Sequence, residues 1–230
     1  MYQTSYPVRA DLARKHLEAW RLIARPGAFF DAAERVQIVQ EARAALYCAL
    51  CRRRKDALSP NAVEGSHDAA TALPTPLVDL IHRIRTDPAR MTRSVFDGAL
   101  AAGISAERYI EAVAVVCTSV IVDTFHNALG LPVPDTLPPE PGPPTGQERP
   151  PVVDAGAWVP LTAVDEADGV FGMPRAPNIG RAMGLVPSAV TLFFLAFRAH
   201  YALRDIPLDI TQAQAEFIAS RVSALNECFY

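Results

Sequence analysis

Residues 31–55 read DAAERVQIVQEARAALYCALCRRRK, and their spacing decides the fold class. Ala33, Val36, Val39, Ala42, Ala45, Leu46 and Leu50 recur at three- and four-residue intervals. That is the signature of one broad apolar helix face. The run predicts a single long helix from about Asp31 into Arg52-Arg53-Arg54-Lys55, stopping before Ser59-Pro60. It also delivers two thiols, Cys48 and Cys51, three positions apart.

The segments on either side follow the same period. Leu12, Leu17, Trp20 and Ile23 predict an amphipathic helix that ends near Arg25-Pro26-Gly27. After a polar loop containing His67, helices are predicted over about Pro76 to Arg85 and Pro88 to Ala101, then from the cap-like Ser105 to Leu129, with Gly130 as the stop. Strand-like alternation is nowhere sustained, so the class is all-α. Nine of the twenty-one residues from Leu131 to Pro151 are proline, too many for a packed helix or sheet, and an extended, loosely ordered tether is expected. Beyond it, Val152 to Ala176 reads as irregular, and Asn178 to Gly184, Pro187 to Leu203 and Thr211 to Cys228 as helices. Val190, Phe193, Phe194, Phe197 and Tyr201 lie at helical spacing and should dock this tail on another surface. The division is a helical domain at 1–130, a proline-rich linker at 131–157 and a second, partial helical unit at 158–230.

Composition narrows the function. A net charge of -3 and a pI near 6.0 give no reason to expect nucleic acid or an anionic membrane as a partner. The start of the chain lacks the apolar core of an export signal, and the most apolar stretch, Tyr109 to Val122, is interrupted by Glu111, Thr118 and Ser119. The expectation is a cytoplasmic protein with reduced thiols and no membrane span. The apolar circumference of the Tyr109 to Leu129 helix suggests a homo-oligomer.

Two thiols three apart on a helix can close a disulfide, and attack on a peroxide needs one of them as thiolate. The four cations at 52–55 favour a thiolate, whereas a position near a helix C-terminus opposes it. The other readings are two buried core cysteines, or a metal site in which Cys48, Cys51 and His67 supply three ligands and no fourth lies at a familiar spacing. Glu41, two turns before Cys48, shares roughly its face and is a candidate proton-relay carboxylate, set against a solvated charge or a partner of Arg43 or Arg35. His67 is a candidate proton shuttle, set against a surface histidine. His126 is a candidate to face the cysteine helix from across the bundle, set against a satisfied buried histidine, and Cys117 reads as structural.

Glu34-Arg35 leading to Cys48-Ala-Leu-Cys51 resembles the alkylhydroperoxidase D/carboxymuconolactone decarboxylase superfamily, in which a helix carries Cys-x-x-Cys with a His four residues later. The tail resembles its peroxidase-related branch. There a Glu twelve residues before the first Cys belongs to the proton relay, a spacing met by Glu216 and Cys228. Ile179 to Pro187, with Phe193, Phe194 and His200-Tyr201, resembles the lead-in to that motif, and Glu107 to Gly130 the helix after the cysteines. The resemblance implies one nearly complete copy of the helical domain in 1–130 and part of a second in the tail. It further implies thiol-dependent reduction of hydroperoxides, no bound organic cofactor, and a dithiol reductant or adaptor protein as partner. The first copy departs from the pattern, with Val36 at the relay position and Lys55 at the His position; in the second, the further Cys and His would fall beyond Tyr230. The competing expectation is a non-catalytic helical scaffold of the same superfamily.

Overall fold

A computed structural model describes residues 1–146, 150–163, 178–201 and 208–225. The chain is mostly helical, in keeping with the all-α expectation. Among the described residues the α-helices are α1 (Ala10–Ile23), α2 (Ala32–Ala44), α3 (Ala49–Asp56), α4 (Thr75–Thr86), α5 (Arg93–Ala101), α6 (Ala106–Ala128), α7 (Asn178–Met183), α8 (Pro187–Phe197) and α9 (Gln212–Leu225). The one strand pair among the described residues is short, β1 (Val152–Val153) antiparallel to β2 (Leu161–Thr162).

Local chemistry fixes the helix starts. Asp31 and Glu34 form a reciprocal capping box that sets the first turn of α2. The Ser105 hydroxyl accepts from the Arg108 N–H at the start of α6, and Gly130 after its end takes φ +67°, a conformation glycine adopts without penalty. α6 is the axis of the bundle. It packs against α2, α4, α1 and most extensively α8. Ala112, Ala114, Val115, Val116 and Val122 are buried along it. It alone among the described helices is long and apolar enough to cross a membrane, and 67% of its apolar window is buried in the fold, as befits a core helix.

Most of the apolar circumference of α6 is covered within one chain, chiefly by α8, while Val113, Cys117, Val120 and Ile121 stay partly exposed. Ala189, Val190, Leu192 and Ala196 of α8 are buried against α6 and α1, while Phe193, Phe194 and Phe197 are only partly covered and pack on one another. Fully burying a side chain of the size of Val190 or Leu192 contributes about 1.5–3 kcal/mol. Among the described residues, α9 also bears exposed apolar side chains, Phe217, Ile218, Val222 and Leu225.

The proline-rich stretch differs from expectation. Rather than a loose tether, residues 131–146 form a strap bound across the first helices. The Trp20 indole N–H donates to Asp135 O (2.9 Å) and Arg43 to Pro134 O (2.8 Å). The Glu140, Thr145 and Gly146 N–H groups donate to Ala24, Gly27 and Ala28 carbonyls, and Leu137 packs on the core. Proline cannot donate, but its carbonyls accept, and the residues between the prolines carry the donors. Spacing in the sequence shows the composition, not these partners.

The end of α8 is fastened to α1 through histidines. His16, fully buried, meets the Tyr2 hydroxyl through Nδ1 and His200 Nε2 through its own Nε2 (2.8 Å), with Phe125 and His126 closing the cluster. His126 faces this cluster and bonds Val122 O rather than reaching the cysteines. Burial, then the nearby His200, depress the His16 pKa from 6.5 to about 4, and burial with Arg9 lowers that of His200. In the unfolded chain His16 binds its proton near 6.5, so its contribution to stability is full above that pH and is lost as pH falls towards 4. The gap amounts to on the order of 3 kcal/mol. Urea unfolding at pH 7 and pH 5 should show the loss, and His16→Phe, which keeps a ring in the site, should flatten that pH dependence.

Candidate functional site

The expected single helix over 31–55 is broken. α2 ends at Ala44, a 3-10 turn spans Ala45–Tyr47, and Cys48 takes φ -66° and ψ 128° before α3 begins. No local side chain caps α3; Asp68, from the following loop, accepts from the Ala49 N–H at 2.8 Å. The cysteine pair consequently lies at a helix N-terminus, not near a C-terminal end. The helix dipole there favours a thiolate at Cys48, which is the N-cap residue.

Both thiols are buried, Cys48 at 0% and Cys51 at 4% exposure. Two imidazoles face them. His67 Nδ1 is 3.5 Å from Cys48 Sγ and 3.7 Å from Cys51 Sγ; His82 Nδ1 is 3.2 Å from Cys51 Sγ. The two rings are 4.2 Å apart between centroids. Behind each stands a carboxylate. His82 Nε2 lies 2.9 Å from Glu41 Oε1, and His67 Nε2 lies 2.9 Å from Asp79 Oδ1. Glu41 is itself buried and accepts from the Thr71 hydroxyl (2.6 Å) and the Ala70 N–H (3.2 Å). Asp79 also pairs with Arg54 (2.6 Å) and Arg83 (2.7 Å). α4 supplies both Asp79 and His82, three positions apart and so on one face.

The protonation states follow from these partners. Burial works to raise the Glu41 pKa, but bonds from Thr71, His82 and Ala70 outweigh it and hold the group below the usual carboxylate range. An ionised carboxylate only accepts, so His82 carries its hydrogen on Nε2 and turns a lone pair to Cys51. Burial keeps the His82 pKa low despite Glu41. For His67, burial is outweighed by Asp79 and then by the two sulfurs, which raise it to about 10. Asp79 is correspondingly lowered: burial is overcome by His67, Arg54 and Arg83. At Cys48 burial is opposed by the Asp68 and Cys51 N–H groups and by His67, and the thiol pKa is lowered.

Of the residues singled out in the sequence, Cys48, Cys51, Glu41 and His67 come together here. Glu41 is neither solvated nor paired with Arg43 or Arg35: Arg43 bonds Asp123, and Arg35 lies beside Glu111. Of the basic run, Arg54 acts through Asp79. Glu216 is elsewhere, accepting from the Tyr201 hydroxyl (2.7 Å) and Gln212 on the exposed side of α9. Cys228 lies outside the described residues. His82 and Asp79 were not read from the sequence. His82 is 31 residues from Cys51, and only an apolar helix with a lone histidine at a buried position marked it. Cys48, Cys51, His67 and His82 offer donor atoms that all lie within 4.8 Å of one another, a set able to hold a metal ion. Beside them, a groove of about 370 Å³ between α4 and α5 is lined by Asp79, Arg83, Asn61, Ser94 and Ala99, among others. Asp79 thus spans from the groove to His67.

No family model, curated protein or solved structure matches this chain.

Glu41→Ala would leave the buried His82 Nε2–H without an acceptor, and would take the acceptor from Thr71 and Ala70 at the edge of the core. The expected loss is about 1–3 kcal/mol in urea unfolding, the cost of a buried unsatisfied donor. Glu41→Gln retains an acceptor for His82 and should cost much less.

Proposed function

We propose that Cys48 and Cys51 form a redox dithiol that reduces hydroperoxides. The observation that carries this reading is the arrangement of two carboxylate-backed imidazoles directly against the two sulfurs of a pair at a helix N-terminus.

In this reading Cys48 is the attacking thiolate and His67 the acid. The sulfur attacks the distal peroxide oxygen, an S–O bond forms as the O–O bond breaks, and the departing alkoxide takes the proton from His67. Cys48 becomes a sulfenic acid and the substrate an alcohol. Cys51 then passes its proton to His82, whose imidazolium is stabilised by Glu41, and attacks the Cys48 sulfur. The S–O bond breaks and the hydroxide leaves as water with the proton from His82. An external dithiol reduces the disulfide by exchange. Asp79, exposed to the groove and bonded to His67, is the route by which His67 regains its proton. Glu41 serves as the relay carboxylate that the sequence pattern leaves vacant at Val36, and His82 as the histidine that it leaves vacant at Lys55.

Burial sets the substrate size. Neither sulfur is open to solvent, and the loop over them (63–72) is mostly exposed and polar, so small hydroperoxides enter more readily than bulky ones. The reductant must reach the pair after that loop moves aside.

The test is peroxide treatment of the folded, reduced, metal-free protein. Two thiols per chain should be lost, with peptide mapping linking Cys48 to Cys51. Cys51→Ser should instead accumulate a Cys48 sulfenic acid trapped by a 1,3-dione reagent, and Cys48→Ser should be inert. Free thiols at both positions after peroxide would leave the scaffold reading in its place.

A further inference from the structure

We infer that Cys48, Cys51, His67 and His82 are the four ligands of a tetrahedral zinc(II) site. The inference uses the side chains of the proposed redox centre but does not depend on their reactivity with peroxide.

The donor set and its spacing carry the argument. Zinc takes thiolate sulfur at about 2.3 Å and imidazole nitrogen at about 2.0–2.1 Å, so a tetrahedron requires donors roughly 3.3–3.8 Å apart. The sulfur–nitrogen separations present are 3.2, 3.5 and 3.7 Å, and all four donors lie within 4.8 Å. A small contraction brings them onto one ion. Both histidines present the same nitrogen, Nδ1, to the common centre, although one comes from a loop and the other from α4. Each has its Nε2 directed to a carboxylate, Glu41 or Asp79. This is the outer arrangement that fixes the tautomer and orientation of a zinc-bound imidazole.

The chemistry selects the ion. Two thiolates and two imidazoles in a tetrahedron suit zinc and not magnesium or calcium, which take oxygen ligands. Two thiolates neutralise the dication, so the loaded centre adds no net charge to a buried place. With four protein donors and both sulfurs buried, the coordination is closed, a structural or sequestering site rather than a hydrolytic one. The site would pin the loop at His67 and the short α3 to α4; the buried apolar cluster of α3 is small, Cys48, Leu50 and Cys51 with Val63 against it. Binding replaces the two protons that the four donor atoms otherwise share, and these are released to solvent.

Cobalt(II) is the probe. Added to full-length, reduced, metal-free protein, it should give the intense visible bands of a tetrahedral ion and a thiolate-to-cobalt charge-transfer band in the near ultraviolet. Both should saturate at one ion per chain, and zinc(II) should bleach them. Zinc addition in weak buffer should release two protons per ion, and zinc should raise the melting temperature. His82→Gln alters the core and can disturb folding, so His67→Gln, in the loop, is made as well. Each should weaken cobalt binding by about tenfold or more. Absence of a tetrahedral spectrum in protein with native circular dichroism and reduced thiols overturns the site. So does a spectrum unchanged in both histidine variants. Metal binding without peroxide-driven disulfide formation removes the redox reading alone, whereas disulfide formation in protein that gives no cobalt spectrum removes this inference alone.

Discussion

The buried contact between Glu41 and His82 holds the site together. A fully buried carboxylate is costly unless every oxygen is answered, and this one is answered by an imidazole of α4 and by a hydroxyl and a backbone N–H of adjacent residues in the loop before it. Through it α2 fixes the rotation of α4, and α4 in turn places His82 under Cys51 and Asp79 under His67. If Glu41 were apolar, nothing would hold the His82 ring with one nitrogen towards the sulfur. The positions of the thiols would survive, since they depend on α3, but their chemistry would not.

The arrangement is economical in its elements. α4 is a three-turn helix whose apolar side, Leu77, Val78, Leu80, Ile81 and Ile84, builds the core with α2 and α6. Asp79 and His82 lie along its edge nearest α3. Packing of the apolar residues therefore positions the polar pair. The Arg54 and Arg83 guanidiniums on either side of Asp79 keep it ionised, so one cation of the basic run is used within the fold while Arg52, Arg53 and Lys55 stay exposed.

The helical class and most helix positions were legible because the apolar period of α1, α2, α4 and α6 is long and regular. The site was only half legible. Cys48, Cys51, Glu41 and His67 were recognisable as chemistry-bearing residues within 27 positions of sequence, but His82 was a single histidine in an apolar helix, indistinguishable from a satisfied core residue. The break at Cys48 also escaped the sequence, because the group that caps α3 is Asp68, twenty positions from the N-cap, and no capping motif stands before Ala49. The strap at 131–146 was misread for a related reason: proline content predicts an extended backbone correctly, while its bonds to Trp20, Arg43 and Ala24 are tertiary and have no local signature. Glu216 stood out by its spacing from Cys228, which lies outside the described residues, and it does not lie with Cys48 and Cys51.

His67 and Asp68 are adjacent in the loop and do different work at the same place. One presents its ring to both sulfurs; the other closes the first turn of the helix that bears them. A movement of this loop large enough to uncover the thiols takes both away at once. The fold holds both sulfurs covered; with the loop displaced they would be open to solvent, but without the imidazole of His67 and without the bond that closes the first turn of α3. Exposure of the thiols and the contacts that tune them are therefore set against each other by one short stretch of chain.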